Sequence, residues 1–163
     1  MTDGQRTERK QKDLTNGFIA QHVIYGRLKN HYNNIPRYLI EEAPAHSKTD
    51  MEDKIDISII DTKSNQILNI DVKSSLHKDK ISYTHINSLG QKSKIYAGDF
   101  SIDLIFTLDD YSVGYVVKAK DFYDLLMKKL ENGEEQISIR NPEKSRFIWV
   151  TLNEIKDLAI NVI

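Results

Sequence analysis

The sequence predicts a single α/β domain spanning residues 1–163, built as a mixed sheet flanked by helices. Three observations carry that expectation. Runs with helical spacing of apolar residues alternate with short runs rich in isoleucine and valine. The 163 residues suffice for one respectable core. No internal repeat, low-complexity tract or Pro/Gly/Ser linker divides them, and Pro36, Pro44 and Pro142 fall where elements are expected to end.

The first element is a helix from about Thr7 to Asn33. Leu14, Phe18, Tyr25, Leu28 and Tyr32 share one stripe, and Asn33-Asn34 followed by Pro36 ends it. Gln21 fills a gap in that stripe, an amide where an apolar residue is expected. Tyr38-Leu39-Ile40 reads as a short strand and Ile55 to Ile60 as a buried one. Thr62-Lys63-Ser64-Asn65 supplies turn chemistry, so Gln66 to Val72 becomes the partner strand of a hairpin. Ile86 to Ala97 is expected to be a helix stopped by Gly98, with Gly90 as an internal weakness. Ile102 to Leu108 and Val113 to Lys118 read as strands joined through Asp109-Asp110-Tyr111-Ser112. Lys120 to Leu130 is amphipathic, with Phe122, Leu125, Leu126 and Leu130 on one face and Asn132-Gly133 as its close. Gln136 to Arg140 and Phe147 to Leu152 are further strands, and a last helix begins near Asn153.

Composition narrows the function classes. Hydrophobic residues make up 39% and charged residues 29%, as in ordinary globular proteins. The absence of cysteine excludes disulfides, thiolate-metal sites and cysteine nucleophiles. The opening Met1-Thr2-Asp3-Gly4-Gln5-Arg6 is polar and no apolar run approaches a membrane span, so a cytoplasmic location without a membrane partner is expected. A net charge of −1 does not mark a nucleic-acid binder, but its distribution is uneven. Acids gather from Glu41 to Asp56 and from Asp99 to Asp110. Between them lie Lys73, Lys78, Lys80, Lys92 and Lys94, with His77 and His85 nearby, and from Lys73 to Lys94 the single acid is Asp79. Smaller basic groups are Arg6, Arg9, Lys10 and Lys12, and Arg140, Lys144 and Arg146. Charge runs of this kind are most often solvated surface.

The stretch that carries chemistry is Lys54-Ile55-Asp56-Ile57-Ser58-Ile59-Ile60, then Asn69-Ile70-Asp71-Val72-Lys73-Ser74-Ser75. Residues two apart on a strand project from the same face, so Asp71 and Lys73 project together while Val72 turns away. If the two strands form an antiparallel hairpin, Asp56 lies near the end of the second strand, and three charges converge at one sheet edge. Phosphodiester hydrolysis uses such a set. Mg²⁺ is held by one or two carboxylates and keeps its other positions for water and phosphate oxygens. A neighbouring lysine orients the water or counters charge on the phosphorane. The plainer alternative is an exposed Asp71–Lys73 pair, with Asp56 capping a strand.

Asp56, followed fifteen positions later by Asp71-Val72-Lys73, resembles the PD-(D/E)XK nuclease superfamily. The resemblance implies a restriction-endonuclease-like αβββαβ core, expected here from Thr7 to Leu108. It implies that Asp56 and Asp71 are metal ligands, that Lys73 is the catalytic lysine, and that the ion is Mg²⁺ or Mn²⁺. Ile55 stands where the name-giving proline would be. The acid often carried by the first helix is not obvious, because Gln21 holds the inward position and Glu8 lies well before it. Glu41 or Glu42 is the alternative extra carboxylate, which leaves the number of metals open.

After the lysine comes Ser74-Ser75-Leu76-His77-Lys78-Asp79-Lys80-Ile81-Ser82-Tyr83-Thr84-His85-Ile86-Asn87-Ser88, expected to be a polar, basic loop. Its side chains are of the types that read base edges and neutralise phosphates, which makes Lys78, Lys80, Tyr83, His85, Asn87, Lys92 and Lys94 candidate DNA contacts. For His85 and Asn87 a turn or capping role is an equal alternative. The segment is similar to its counterpart in the smallest type II restriction endonucleases. That likeness implies a homodimer, since one active site cuts one strand of a two-fold symmetric site. The first helix and the terminal Leu158 to Ile163 are candidate interfaces. Other readings are a structure-selective nuclease such as a Holliday junction resolvase and a non-catalytic nucleic-acid-binding module on the same fold. An RNA-directed nuclease would carry the same catalytic core.

Overall fold

A computed structural model describes residues 2–32, 34–44, 47, 54–139 and 144–163, with the side chains of residues 6, 7 and 9–15 outside that description. Several residues used above therefore fall outside it: Asn33, Arg140 and Pro142, and the side chains of Leu14, Arg6, Arg9, Lys10 and Lys12.

Helix α1 runs from Asp3 to His31. It starts before Thr7 because Thr2 and Gln5 form a reciprocal capping box: the Gln5 N–H donates to the Thr2 hydroxyl, and the Thr2 N–H to the Gln5 side chain. Its most buried stripe is Ala20, Ile24 and Leu28, while Phe18, Tyr25 and Tyr32 are half-buried at its flanks. Gln21, the polar gap in the expected stripe, is only 5% exposed.

Strands β1 (Tyr38–Glu42), β2 (Ile57–Asp61) and β3 (Ile67–Ser75) follow in antiparallel sequence. Then come β4 (Lys80–Ile86), β5 (Ile102–Leu108), β6 (Tyr115–Val117), helix α2 (Ala119–Glu131), β7 (Gln136–Ile137), β8 (Arg146–Thr151), helix α3 (Leu152–Leu158) and β9 (Asn161–Val162). The main sheet has the order β1-β2-β3-β5-β6-β9, with β3 and β5 parallel and the other pairs antiparallel. A second, three-stranded sheet has the order β4-β8-β7. The mixed sheet flanked by helices is as the sequence predicts.

Two cores hold these layers. Ile24 and Leu28 of α1 pack on Ile40, Ile57, Ile59, Ile70 and Ile105, one face of the main sheet. The other face contributes Leu104, Phe106 and Leu108, which meet the small sheet (Ile81, Tyr83, Ile148, Val150) and α2 (Phe122, Leu126). Covered on both sides, β5 is buried at every position, as parallel-sheet strands usually are. Strand β3 is mostly half-buried, so its second face lies open enough to carry a site.

Two expectations fail, both between β3 and β5. The basic segment after Lys73 is not a loop: it contains β4, whose buried Ile81, Tyr83 and His85 alternate with exposed Ser82 and Thr84. Nor is Ile86 to Ala97 a helix. Ile86 ends β4 and bridges to Lys92, while the Asn87 side chain accepts the N–H groups of Leu89 and Gln91 and folds a turn with Gly90 at φ +77°. Asparagine bonding to its own backbone in this way competes with helix formation. The expected αβββαβ core is thus altered. Parallel strands need a crossover, and here it passes through a strand of the second sheet and a run of turns where the helix was expected. Among the described residues, no helix is long and apolar enough to cross a membrane.

Candidate active site

The β2–β3 register ends on the pair Ile57 and Ile70, and Asp56 lies just beyond β2, beside the Asp71 carboxyl group. The Asp56 N–H donates to the Ile70 carbonyl at 2.9 Å. Lys54, at φ 58°, lies in the left-handed region two residues before Asp56. The Asp56 side chain continues the pairing in place of main chain: its Oδ2 accepts the Val72 N–H at 2.7 Å. Asp71 Oδ2 lies 3.0 Å from Lys73 Nζ. The three residues that the hairpin argument joins are therefore neighbours. Ser58 and Asn69, on the face of Asp71 and Lys73, are hydrogen-bonded at 2.9 Å.

Electrostatics here depart from the ordinary. Burial pushes the Asp56 carboxyl up to about 8, helped by the Asp71 charge and a hydrogen bond between the two carboxyl groups. The Val72 N–H and Lys73 oppose that rise without cancelling it. Lys73 is the converse. Burial works against its charge, but Asp71, together with Tyr83 and Asp56, holds the ammonium above its usual range. Its side chain is still 36% exposed, so the charge can reach a substrate.

Tyr83 and Ser93 form a wall that the sequence did not point to as part of this site. The Tyr83 ring centroid lies 5.8 Å from Lys73 Nζ, and its hydroxyl donates to Ser93 Oγ at 2.8 Å. Tyr83 was expected at a DNA surface, yet it is buried from β4 against Phe122. His85 is corrected in the same way: it has no exposed surface, its Nε2 lies 2.8 Å from Glu135, and Tyr96 meets it edge-on. Both side chains are buried. Asn87 is exposed, but its amide is engaged in its own turn with Gln91. Lys78 and Lys92 are exposed, Lys80 and Lys94 half-buried.

The three candidates for a further site member separate. Glu41 pairs with Ser58 and Ser58 with Asn69, so Glu41 shares the face of Asp71, two strands away. Glu42 pairs with Ile57 and therefore faces α1, where its carboxylate meets Gln21 at 3.3 Å and His22 at 3.0 Å. Gln21 also donates to the Ala43 carbonyl, and the Ala43 N–H donates to the Asp56 carbonyl. Gln21 thus touches the site only through backbone. Among the described residues, no three or more His, Cys, Asp or Glu side chains converge to hold a metal ion. The site as built has two carboxylates.

Those two suit a hard divalent cation. Burial and the neighbouring Asp71 charge disfavour the ionised form of Asp56 even with Lys73 nearby, and a further positive charge on the pair would favour it. Asp56 and Asp71 are the residues that would hold the ion.

No protein-family profile matches the chain, and no curated protein matches it. Among solved structures, D212, a nuclease from a fusselovirus, aligns over 97% of this chain and 92% of that one, with a TM-score of 0.40 and 12% identity.

Proposed function

We propose that this chain is a metal-dependent nuclease of the PD-(D/E)XK type, hydrolysing DNA phosphodiester bonds at Asp56, Asp71 and Lys73. The observation that carries this reading is the juxtaposition of the Asp56 and Asp71 carboxyl groups where the β2–β3 pairing ends, with the Lys73 ammonium 3.0 Å from Asp71. A divalent ion such as Mg²⁺ or Mn²⁺, when bound, polarises the phosphoryl oxygen and lowers the pKa of a coordinated water. The chain does the rest by placement. The Val72 N–H fixes the Asp56 carboxylate, and Asp71 keeps Lys73 charged. The ammonium is then positioned to orient the attacking water and to counter negative charge on the phosphorane.

The finer form of this reading is a homodimeric type II restriction endonuclease in the cytoplasm. Its support is the set of lysines that follows the catalytic strand in sequence, Lys78, Lys80, Lys92 and Lys94, of which Lys78 and Lys92 are exposed. A second form, a structure-selective nuclease of the resolvase kind, is favoured by the aromatic groove on the outer face of β4 and β8. Supercoiled plasmid, branched junctions and single strands incubated with Mg²⁺ separate the two. Discrete fragments from plasmid fit restriction, and preferential cutting of junctions fits the second form. Failure to cut any of them, with either metal, rejects both.

A further inference from the structure

We propose that the outer face of the β4–β8–β7 sheet is a platform for a single-stranded stretch of nucleic acid, seated by stacking on Trp149 and Phe147 and by phosphate pairing with Lys80. It deepens the nuclease reading and rests on it for its biological sense, but not for its binding chemistry.

Strand parity creates this face. Ile81 and Tyr83 of β4, with Ile148 and Val150 of β8, point into the core. Their neighbours Ser82, Thr84, Phe147 and Trp149 consequently point out, with Ser82 opposite Trp149 and Thr84 opposite Phe147. A groove of about 800 Å³ lies over them. In a chain with 24 Asp and Glu residues, none of the described lining residues is acidic. The lining instead offers Lys80 and His77 as cationic or donor groups and a set of hydroxyls from Ser74, Ser75, Ser82 and Thr84. That is the complement of a polyanion.

The aromatic arrangement says which polyanion. Phe147 and His77 each meet Trp149 edge-on, with centroids 5.6 Å away, which holds the indole in place. Lys80 Nζ rests 4.1 Å from the Trp149 ring centroid. A base stacking on the indole takes that position, and the ammonium swings to the adjacent phosphate. Ile137 and Ile139, 50% and 96% exposed, form an apolar edge to the groove. Exposed apolar surface beside aromatic faces suits unstacked bases, whereas a duplex keeps its base faces internal and presents phosphates. The groove also opens at the carboxyl end of β3, where Ser74 and Ser75 directly follow Lys73. In open sheets with parallel strands, ligands favour that end. A strand lying in the groove therefore runs toward the catalytic residues.

Trp149 is the single tryptophan of the chain, so its fluorescence reports on this face alone. The full chain in EDTA, where cleavage is stopped, is titrated with an oligothymidylate of about 12 nucleotides. Saturable quenching, weakened by salt and at least about tenfold weaker with a duplex of equal length, is the expected result. By anisotropy of a labelled oligonucleotide, Trp149→Ala and Lys80→Ala each weaken binding by about tenfold. Thr84→Glu, an exposed change on the same face that leaves the core alone, weakens it as well. Absence of quenching, or equal quenching by duplex and single strand, overturns the platform. The two readings fail separately. Quenching without any Mg²⁺-dependent cleavage retains the platform and removes the nuclease, whereas cleavage without quenching removes the platform alone.

Discussion

Asp56 lies beside Asp71 where the β2–β3 pairing ends, and its carboxyl group accepts the main-chain N–H of Val72 at 2.7 Å. One oxygen of the pair is therefore fixed by backbone while the pair as a whole carries more negative charge than its partly buried setting favours. A bound cation would relieve that conflict, and without one a proton on Asp56 does so.

A pH dependence follows from that substitution. The folded-state pKa of Asp56, about 8, lies above that of an unfolded aspartate, near 4. The native state thus holds a proton that the unfolded chain releases. The stability tied to this group is complete below pH 4 and is lost as pH rises toward 8. Metal-free protein is expected to lose thermal stability between pH 5 and pH 8, and Mg²⁺ is expected to restore it at the upper end. Asp56→Asn should flatten the slope and abolish the Mg²⁺ response. Parallel melting-temperature profiles for wild type and Asp56→Asn would refute the coupling.

Tyr83 ties the second sheet to the site through the Lys73 ammonium on one side and Ser93 on the other. Tyr83→Phe keeps the ring but loses the hydroxyl bond, a stability loss of about 1 kcal/mol. Cleavage should survive it. Tyr83→Leu removes the aromatic wall and is expected to lower kcat more than it changes KM, because the ammonium is then less well placed. Steady-state kinetics on both variants decide it, and equal kcat in wild type and Tyr83→Leu would show that the wall does not position Lys73.

Gly114 closes the far side of the main sheet. A Cβ there would lie 2.8 Å from Ile163 Cγ1, 3.0 Å from Ile24 Cδ1 and 3.1 Å from Ile105 Cγ2, and Gly114 exchanges both main-chain bonds with Ile163 at 2.9 Å. Gly114→Ala is expected to cost about 1–3 kcal/mol by overpacking, read from urea unfolding midpoints. Adding Ile163→Ala should recover part of the loss. An unchanged midpoint for the single variant would mean that this corner is looser than the close approach indicates.

Local chemistry made part of this fold legible. The hairpin of β2 and β3 could be placed because turn residues 62–65 separate two isoleucine-bearing runs, and once it is placed the Asp56–Asp71–Lys73 cluster follows from strand parity. What escaped depends on partners far away in the chain. Strand β4 alternates correctly, but its inward residues include His85, whose Nε2 is met by Glu135 fifty positions later. Read locally, a histidine among lysines and serines looks like a basic loop. The residues after it looked helical until the Asn87 side chain bent them into a turn. Phe147 and Trp149 were expected on a strand, but which of their faces is solvent-facing depends on the β4 pairing. Gln21 was visible as a polar gap in α1, while its attachment to Glu42 and Ala43 required the β1 register.

The most direct test of the central claim compares wild type with Lys73→Ala and Asp71→Ala on plasmid, junction and single-stranded DNA in Mg²⁺. The expected result is cleavage by wild type and a rate loss of at least about 10²-fold in each variant, with far-ultraviolet dichroism unchanged. Cleavage that persists in both variants, or that proceeds equally in EDTA, would contradict the assignment of the reaction to this site.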